Sequence, residues 1–119
     1  MTLSKTLNIR ISGAADALDR FEAAWHLASG RKPPEPVAVL SFADLPLLLK
    51  TLTAARWALL EKLRMAGPQS ILGLAKLLAR DYKNVHTDVT QLLALGLIAK
   101  DDQGAVSVPW ESVRAELEL

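Results

Sequence analysis

The sequence contains no cysteine, which excludes disulfide staples, thiolate nucleophiles and sulfur ligands for a metal, and leaves the redox compartment open. Its two histidines, His26 and His86, have neither a second His nor a Cys nearby, so there is no metal-ligand cluster. A glycine-rich phosphate loop, a nucleophile elbow and a carboxylate pair of convincing spacing are also missing. No enzymatic activity and no cofactor are expected. Half of the chain is apolar, yet no apolar run reaches the roughly 18 residues of a membrane span, and no basic, apolar, small-residue leader opens the chain. A cytoplasmic protein with no membrane partner is the expectation. Aromatics make up only 5% of the chain; Trp25, Trp57 and Trp110 fall on apolar faces and read as core or interface, not as a stacking series for bases. Charge of one sign is scarce as well, with 14 basic residues against 13 acidic ones, a balance that argues against tight nonspecific binding to nucleic acid. Its distribution is more telling. Between Ala54 and Lys100, Arg56, Lys62, Arg64, Lys76, Arg80, Lys83 and Lys100 face only Glu61, Asp81 and Asp88, while acid collects in the C-terminal residues.

The stretch from Ala66 to Leu97 organises the rest. Ile71, Leu74, Ala75 and Leu78 recur at the i, i+3, i+4, i+7 spacing of one apolar helix stripe, which predicts a helix over about Ser70–Ala79. Pro68 and Ser70 mark its start. A second helix is predicted from about Tyr82 to Leu95, with Asp81 as N-cap and Gly96 as the left-handed stop. Two helices joined this tightly make the helix-turn-helix pattern, whose second helix enters the DNA major groove. Val85, Val89 and Leu92 cluster on one side of that helix. Lys83, Asn84, Thr87, Thr90 and Gln91 point away, His86 lies at the border, and no Glu is among them. Asn and Gln pair bidentately with adenine, Lys reaches guanine or phosphate, and a Thr methyl meets the thymine methyl. An ordinary solvated face would also be polar, so this helix alone decides little. Two strand-like runs follow, Leu97–Lys100 and Ala105–Val108, separated by the turn residues Asp101-Asp102-Gln103-Gly104; they suggest the hairpin of a winged helix. The acidic tip should repel phosphate, which leaves Lys100 at the base as the better DNA contact.

Elsewhere, Leu3–Ser12 alternates as a half-buried strand, and Ala14–Ser29 reads as an Ala-rich helix that Gly30 ends. Residues 31–36 are proline-dense and read as a stiff connector. Val37–Phe42 reads as a second strand, and Ser41 or Asp44 can cap a helix that runs from about Ala43 to Leu52 with Pro46 in its first turn. Thr53–Met65 forms the next helix, with Leu59, Leu60 and Leu63 beneath the bihelical unit and Gly67 at its end. Trp110–Leu119 alternates as a terminal strand, although Ala, Glu and Leu also suit a helix. The two terminal strands either pair with each other in a monomer or pair across a two-fold axis; the dimer is the favoured expectation.

The segments Ser41-Phe-Ala-Asp-Leu, Leu52-Thr-Ala-Ala-Arg-Trp-Ala-Leu-Leu, Ser70-Ile-Leu-Gly-Leu-Ala, Arg80-Asp-Tyr-Lys-Asn-Val-His-Thr-Asp-Val, Leu95-Gly-Leu-Ile and Val108-Pro-Trp resemble a family of predicted winged helix-turn-helix transcriptional regulators of bacteria and archaea, MarR-like in their DNA-binding core. The resemblance covers nearly the whole chain and is weakest over the first thirty residues. It implies sequence-specific DNA binding and transcriptional control, with some relatives acting as antitoxins beside toxin-like genes. It places Arg80, Tyr82, Lys83, Asn84, His86 and Thr87 at DNA-facing positions. The acidic hairpin tip departs from the basic tips of many winged helices.

The expected fold is thus α+β: a strand-helix-strand extension over residues 1–42, with a dimerising role, and a winged helix-turn-helix domain with its C-terminal strand over 43–119. The expected function is a sequence-specific regulator of double-stranded DNA, a homodimeric repressor. Its expected DNA-binding set is Gln69, Ser70, Arg80, Tyr82, Lys83, Asn84, His86, Thr87, Thr90 and Lys100. Within this set Arg80, Gln69 and Ser70 position the backbone. For Ser70 a plain N-cap is an equal reading, and for Arg80 and Lys83 the alternative is a solvated pair flanking Asp81. Tyr82 is expected to pack and to reach phosphate with its hydroxyl, and Asp88 to turn inward toward Arg56, Lys62 or Arg64. The rival function is a winged-helix protein-interaction module, in one form the antitoxin of a toxin-antitoxin pair, with a toxin or other protein as partner.

Overall fold

A computed structural model describes residues 5–11 and 38–117. The expected helix over Ala14–Ser29 and the proline-dense connector lie outside these residues. The described residues form an α+β fold of four helices and five strands: β1 (Thr6–Ile11), β2 (Val39–Phe42), α1 (Leu45–Thr51), α2 (Ala54–Ala66), α3 (Ile71–Leu78), α4 (Tyr82–Ala94), β3 (Ala99–Lys100), β4 (Val106–Ser107) and β5 (Ser112–Ala115). They separate into two units. One takes Lys5 and Leu52–Glu111; the other takes the described residues 6–11, 38–51 and 112–117. This division departs from a boundary at Phe42, because α1 and the C-terminal strand belong with the N-terminal strands.

The strand unit is a three-stranded parallel sheet in the order β2-β1-β5. Alternation in β1 buries Leu7 and Ile9 and leaves Arg10 exposed, the period-two pattern of a strand with one covered face. Ile9 lies opposite Leu40 of β2 and opposite Ala115 of β5. The Thr6 and Ser112 hydroxyls meet at 2.9 Å across the second of these pairs. The two terminal strands therefore pair with each other within one chain, and β1 is the central strand rather than an edge. A parallel neighbour needs a crossover of a dozen or more residues, which residues 12–37 are long enough to provide between β1 and β2. In α1 the choice between Ser41 and Asp44 as cap resolves to Asp44, whose carboxylate accepts from the Leu47 amide at 2.8 Å.

The helical unit runs α2-α3-α4 and closes with the β3–β4 hairpin. Thr53 caps α2 by accepting from the Arg56 amide, and Gly67, at φ 80°, ends it. Leu59, Leu60 and Leu63 of α2, Leu74 and Ala75 of α3, and Val85, Val89 and Leu92 of α4 are buried. Leu52, ahead of α2, and Leu97, Ile98 and Val106 of the hairpin segment complete the buried set. The hairpin is shorter than its sequence suggests, because Leu97 and Ile98 are spent on the core before pairing begins at Ala99. A feature not visible in the sequence joins it: the backbone of Gln69, just before α3, bridges antiparallel to Val106 through bonds of 3.0 and 2.7 Å. The Trp110 indole N–H donates to the Gly96 carbonyl at 2.9 Å, which ties the segment after the hairpin to the end of α4.

Candidate nucleic-acid interface

Three backbone decisions aim the second helix of the pair. Ser70 accepts from the Gly73 amide and starts α3. The α3 helix ends on Ala79 in the left-handed conformation (φ 51°, ψ 44°), with the Ala79 amide bonded to the Lys76 carbonyl and the Arg80 amide bonded back to Ala75. Together these bonds form a Schellman turn whose left-handed residue is alanine in place of the usual glycine. Asp81 then starts α4 by accepting from the Asn84 amide. At its far end α4 closes with a second Schellman turn, this time with Gly96 at φ 81° and the Leu97 amide bonded to Leu92.

At about 100° per residue, Val85, Val89 and Leu92 define the buried face of α4, and all three are fully buried. Lys83, Thr87 and Thr90 form the stripe directly opposite and are exposed. Asn84 and Gln91 flank that stripe on one side and His86 on the other, all exposed. Both threonine hydroxyls turn back on the helix: Thr87 donates to the Lys83 carbonyl at 3.0 Å and Thr90 to the His86 carbonyl at 2.8 Å. This is the usual i−4 bond of a threonine inside a helix, and it commits each hydroxyl proton. Tyr82 is 47% exposed, so it is not the packed residue the sequence suggested; its ring lies 5.9 Å from that of His86.

Asp88 leaves the outward face, as expected, and of its three candidate partners the structure selects Arg56. The Arg56 Nε donates to Asp88 Oδ1 at 3.1 Å, and Arg80 Nη2 donates to Oδ2 at 2.9 Å. The Asp88 side chain is only 14% exposed, Arg56 17% and Arg80 30%. Arg80, read from sequence as a phosphate contact, is thus an internal strut between the α3–α4 turn and α4. Its Nη1 is buried and has no partner among the described residues.

The remaining sequence-derived residues are dispersed. Gln69 is half-buried in the bridge to Val106, with its side-chain oxygen over the first turn of α3 near Gly73, so its backbone N–H is not free to serve a phosphate. Ser70 is exposed and acts as the cap. Lys100 is exposed at the base of the hairpin. At the hairpin tip, the Asp101 carboxylate accepts from the Gln103 and Ala105 amides at 2.9 Å each, and Gly104 adopts φ 85°. One of the two acids at the tip is therefore occupied in holding the turn. No group of acidic or histidine side chains among the described residues could hold a metal, and no helix among them is long and apolar enough to cross a membrane.

The architecture defines an α+β protein in whose helical unit the outward stripe of α4 carries no acid. The HVO_A0114 family model matches residues 51–115, which covers α2 through β5, and the chain belongs to that family. No curated protein and no solved structure matches the chain.

Proposed function

We propose that this protein is a sequence-specific regulator that binds double-stranded DNA, with α2–α4 and the β3–β4 hairpin acting as a winged helix-turn-helix and α4 as the recognition helix. One observation carries the reading. The stripe of α4 opposite its core face bears Lys83, Thr87 and Thr90, flanked by the amides of Asn84 and Gln91, and no carboxylate stands on it because Asp88 is turned inward onto two arginines. These groups are the ones that read base edges in a major groove. Lys83 and Asn84 lie in the first turn of α4, the part of a recognition helix that reaches bases first. Repression by occlusion of a promoter is the simplest action. The protein binds as a homodimer on two half-sites, as helix-turn-helix proteins commonly do; β1 and β5 pair within the chain and do not supply the dimer contact by pairing across a two-fold axis.

The test is a titration of the DNA upstream of the protein's own gene against scrambled duplex at several salt concentrations. Specific binding whose log affinity falls linearly with log salt is expected. The double substitution Lys83→Ala/Asn84→Ala should abolish the preference, since a good base contact is worth ~1–3 kcal/mol, while the helical circular dichroism stays unchanged. Preference retained by the double variant would remove α4 from the recognition role.

A second reading has its own observation. Leu72 and Leu77 of α3 are 53% and 43% exposed, apolar surface that suits a protein partner such as the toxin of a toxin-antitoxin pair. Absence of any DNA preference in a folded, titrated protein would favour that reading.

A further inference from the structure

We infer that Thr87 and Thr90, on the outward stripe of α4, read A·T base pairs through their thymine methyl groups, so that the half-site of this protein is A·T-rich where the centre of α4 meets it; the inference rests on the DNA-binding reading above. The hydroxyls of Thr87 and Thr90 donate to carbonyls of their own helix, so toward a ligand each oxygen can only accept. In the major groove guanine offers two acceptors, N7 and O6, and neither threonine can serve them. The donors available are the amino groups of adenine and cytosine. A threonine also carries a methyl, whose apolar partner in the groove is the thymine methyl. An A·T pair supplies the amino group and the methyl together, whereas a G·C pair supplies only the amino group. The i−4 bonds also hold χ1 of each threonine, so the methyls are presented in fixed positions before DNA arrives.

The neighbours agree with this preference. Asn84 and Gln91, exposed along the same side, carry amides that match the N6/N7 edge of adenine. Lys83 is the one lysine or arginine on α4, and it sits in the first turn, so the bidentate lysine contact that favours guanine is confined to that end of the helix.

The experiment uses the full chain. Duplexes are selected from a randomised pool, and each thymine of the selected site is then replaced in turn by deoxyuridine, which deletes only the methyl. Two positions should lose affinity on the order of fourfold each, the transfer value of one buried methyl-sized group. The variants Thr87→Ser and Thr90→Ser, which keep the hydroxyl and lose the methyl, should each erase the deoxyuridine effect at one position. Thr87→Val and Thr90→Val, which keep the methyl and lose the hydroxyl, should preserve it. Thermal melting of each variant by circular dichroism guards against loss of fold, and the valine forms supply the positive control. A selected site that is insensitive to deoxyuridine, or G·C-rich at these positions, would overturn the inference and leave DNA recognition standing. Failure to select any sequence would overturn both.

Discussion

Removal of the Asp88 carboxylate is the sharpest probe of how the α3–α4 pair is held. Asp88 accepts one charge-assisted hydrogen bond from Arg56 on α2 and one from Arg80 in the turn. Such bonds contribute roughly 1.5–3 kcal/mol each, and stripping one partner from a fully buried pair costs about 3–5 kcal/mol because the other charge is left stranded. Exposed ion pairs, by contrast, are worth about 0–1 kcal/mol. The side-chain exposures of 14%, 17% and 30% place this cluster between those limits and nearer the buried one. The expected loss for Asp88→Ala is therefore about 2–3 kcal/mol, with Asp88→Asn somewhat milder because it keeps one acceptor oxygen. With a urea slope of about 1 kcal/mol per molar, the unfolding midpoint should fall by roughly 2–3 M. A cycle with Arg80→Ala should return a coupling of on the order of 1 kcal/mol. A midpoint drop below about 0.5 M for Asp88→Ala, with the slope unchanged, would refute the shielded strut and reduce the cluster to surface charge.

The two Schellman turns make opposite predictions. Ala79 holds a left-handed conformation that costs a residue with a Cβ about 1–2 kcal/mol, so Ala79→Gly should raise stability by roughly 0.5–1 kcal/mol after the added unfolded-state entropy, read as a higher urea midpoint. Gly96→Ala, at φ 81° in open space, should lower stability by about 1 kcal/mol through backbone strain alone, measured the same way. Trp110→Phe removes the donor to the Gly96 carbonyl and should cost about 1 kcal/mol, with faster amide exchange at the end of α4 as its local signature.

Local chemistry was legible in the chain wherever the cause was itself local. The periodicity of Ile71, Leu74 and Ala75 and of Val85, Val89 and Leu92 located α3 and α4, because a helix buries residues at a spacing set by its own geometry. Ser70 and Asp81 marked helix starts, since a cap needs only an oxygen within three residues of an orphan amide. Gly67 and Gly96 marked helix ends because glycine takes positive φ without a Cβ clash, whereas the side chain of Ala79 carries no signal of its left-handed conformation. The outward stripe of α4 was also readable, but not the engagement of Arg80 or the choice of partner for Asp88. Those depended on tertiary structure. Asp88 could have met any of several cations, and the choice of Arg56, 32 positions away, follows only from how α2 crosses α4. The bridge from Gln69 to Val106 and the parallel pairing of β1 with β5 join residues far apart in the chain, and a backbone donor carries no sequence label for its partner. Periodicity says which face a residue occupies; packing alone says what that face meets.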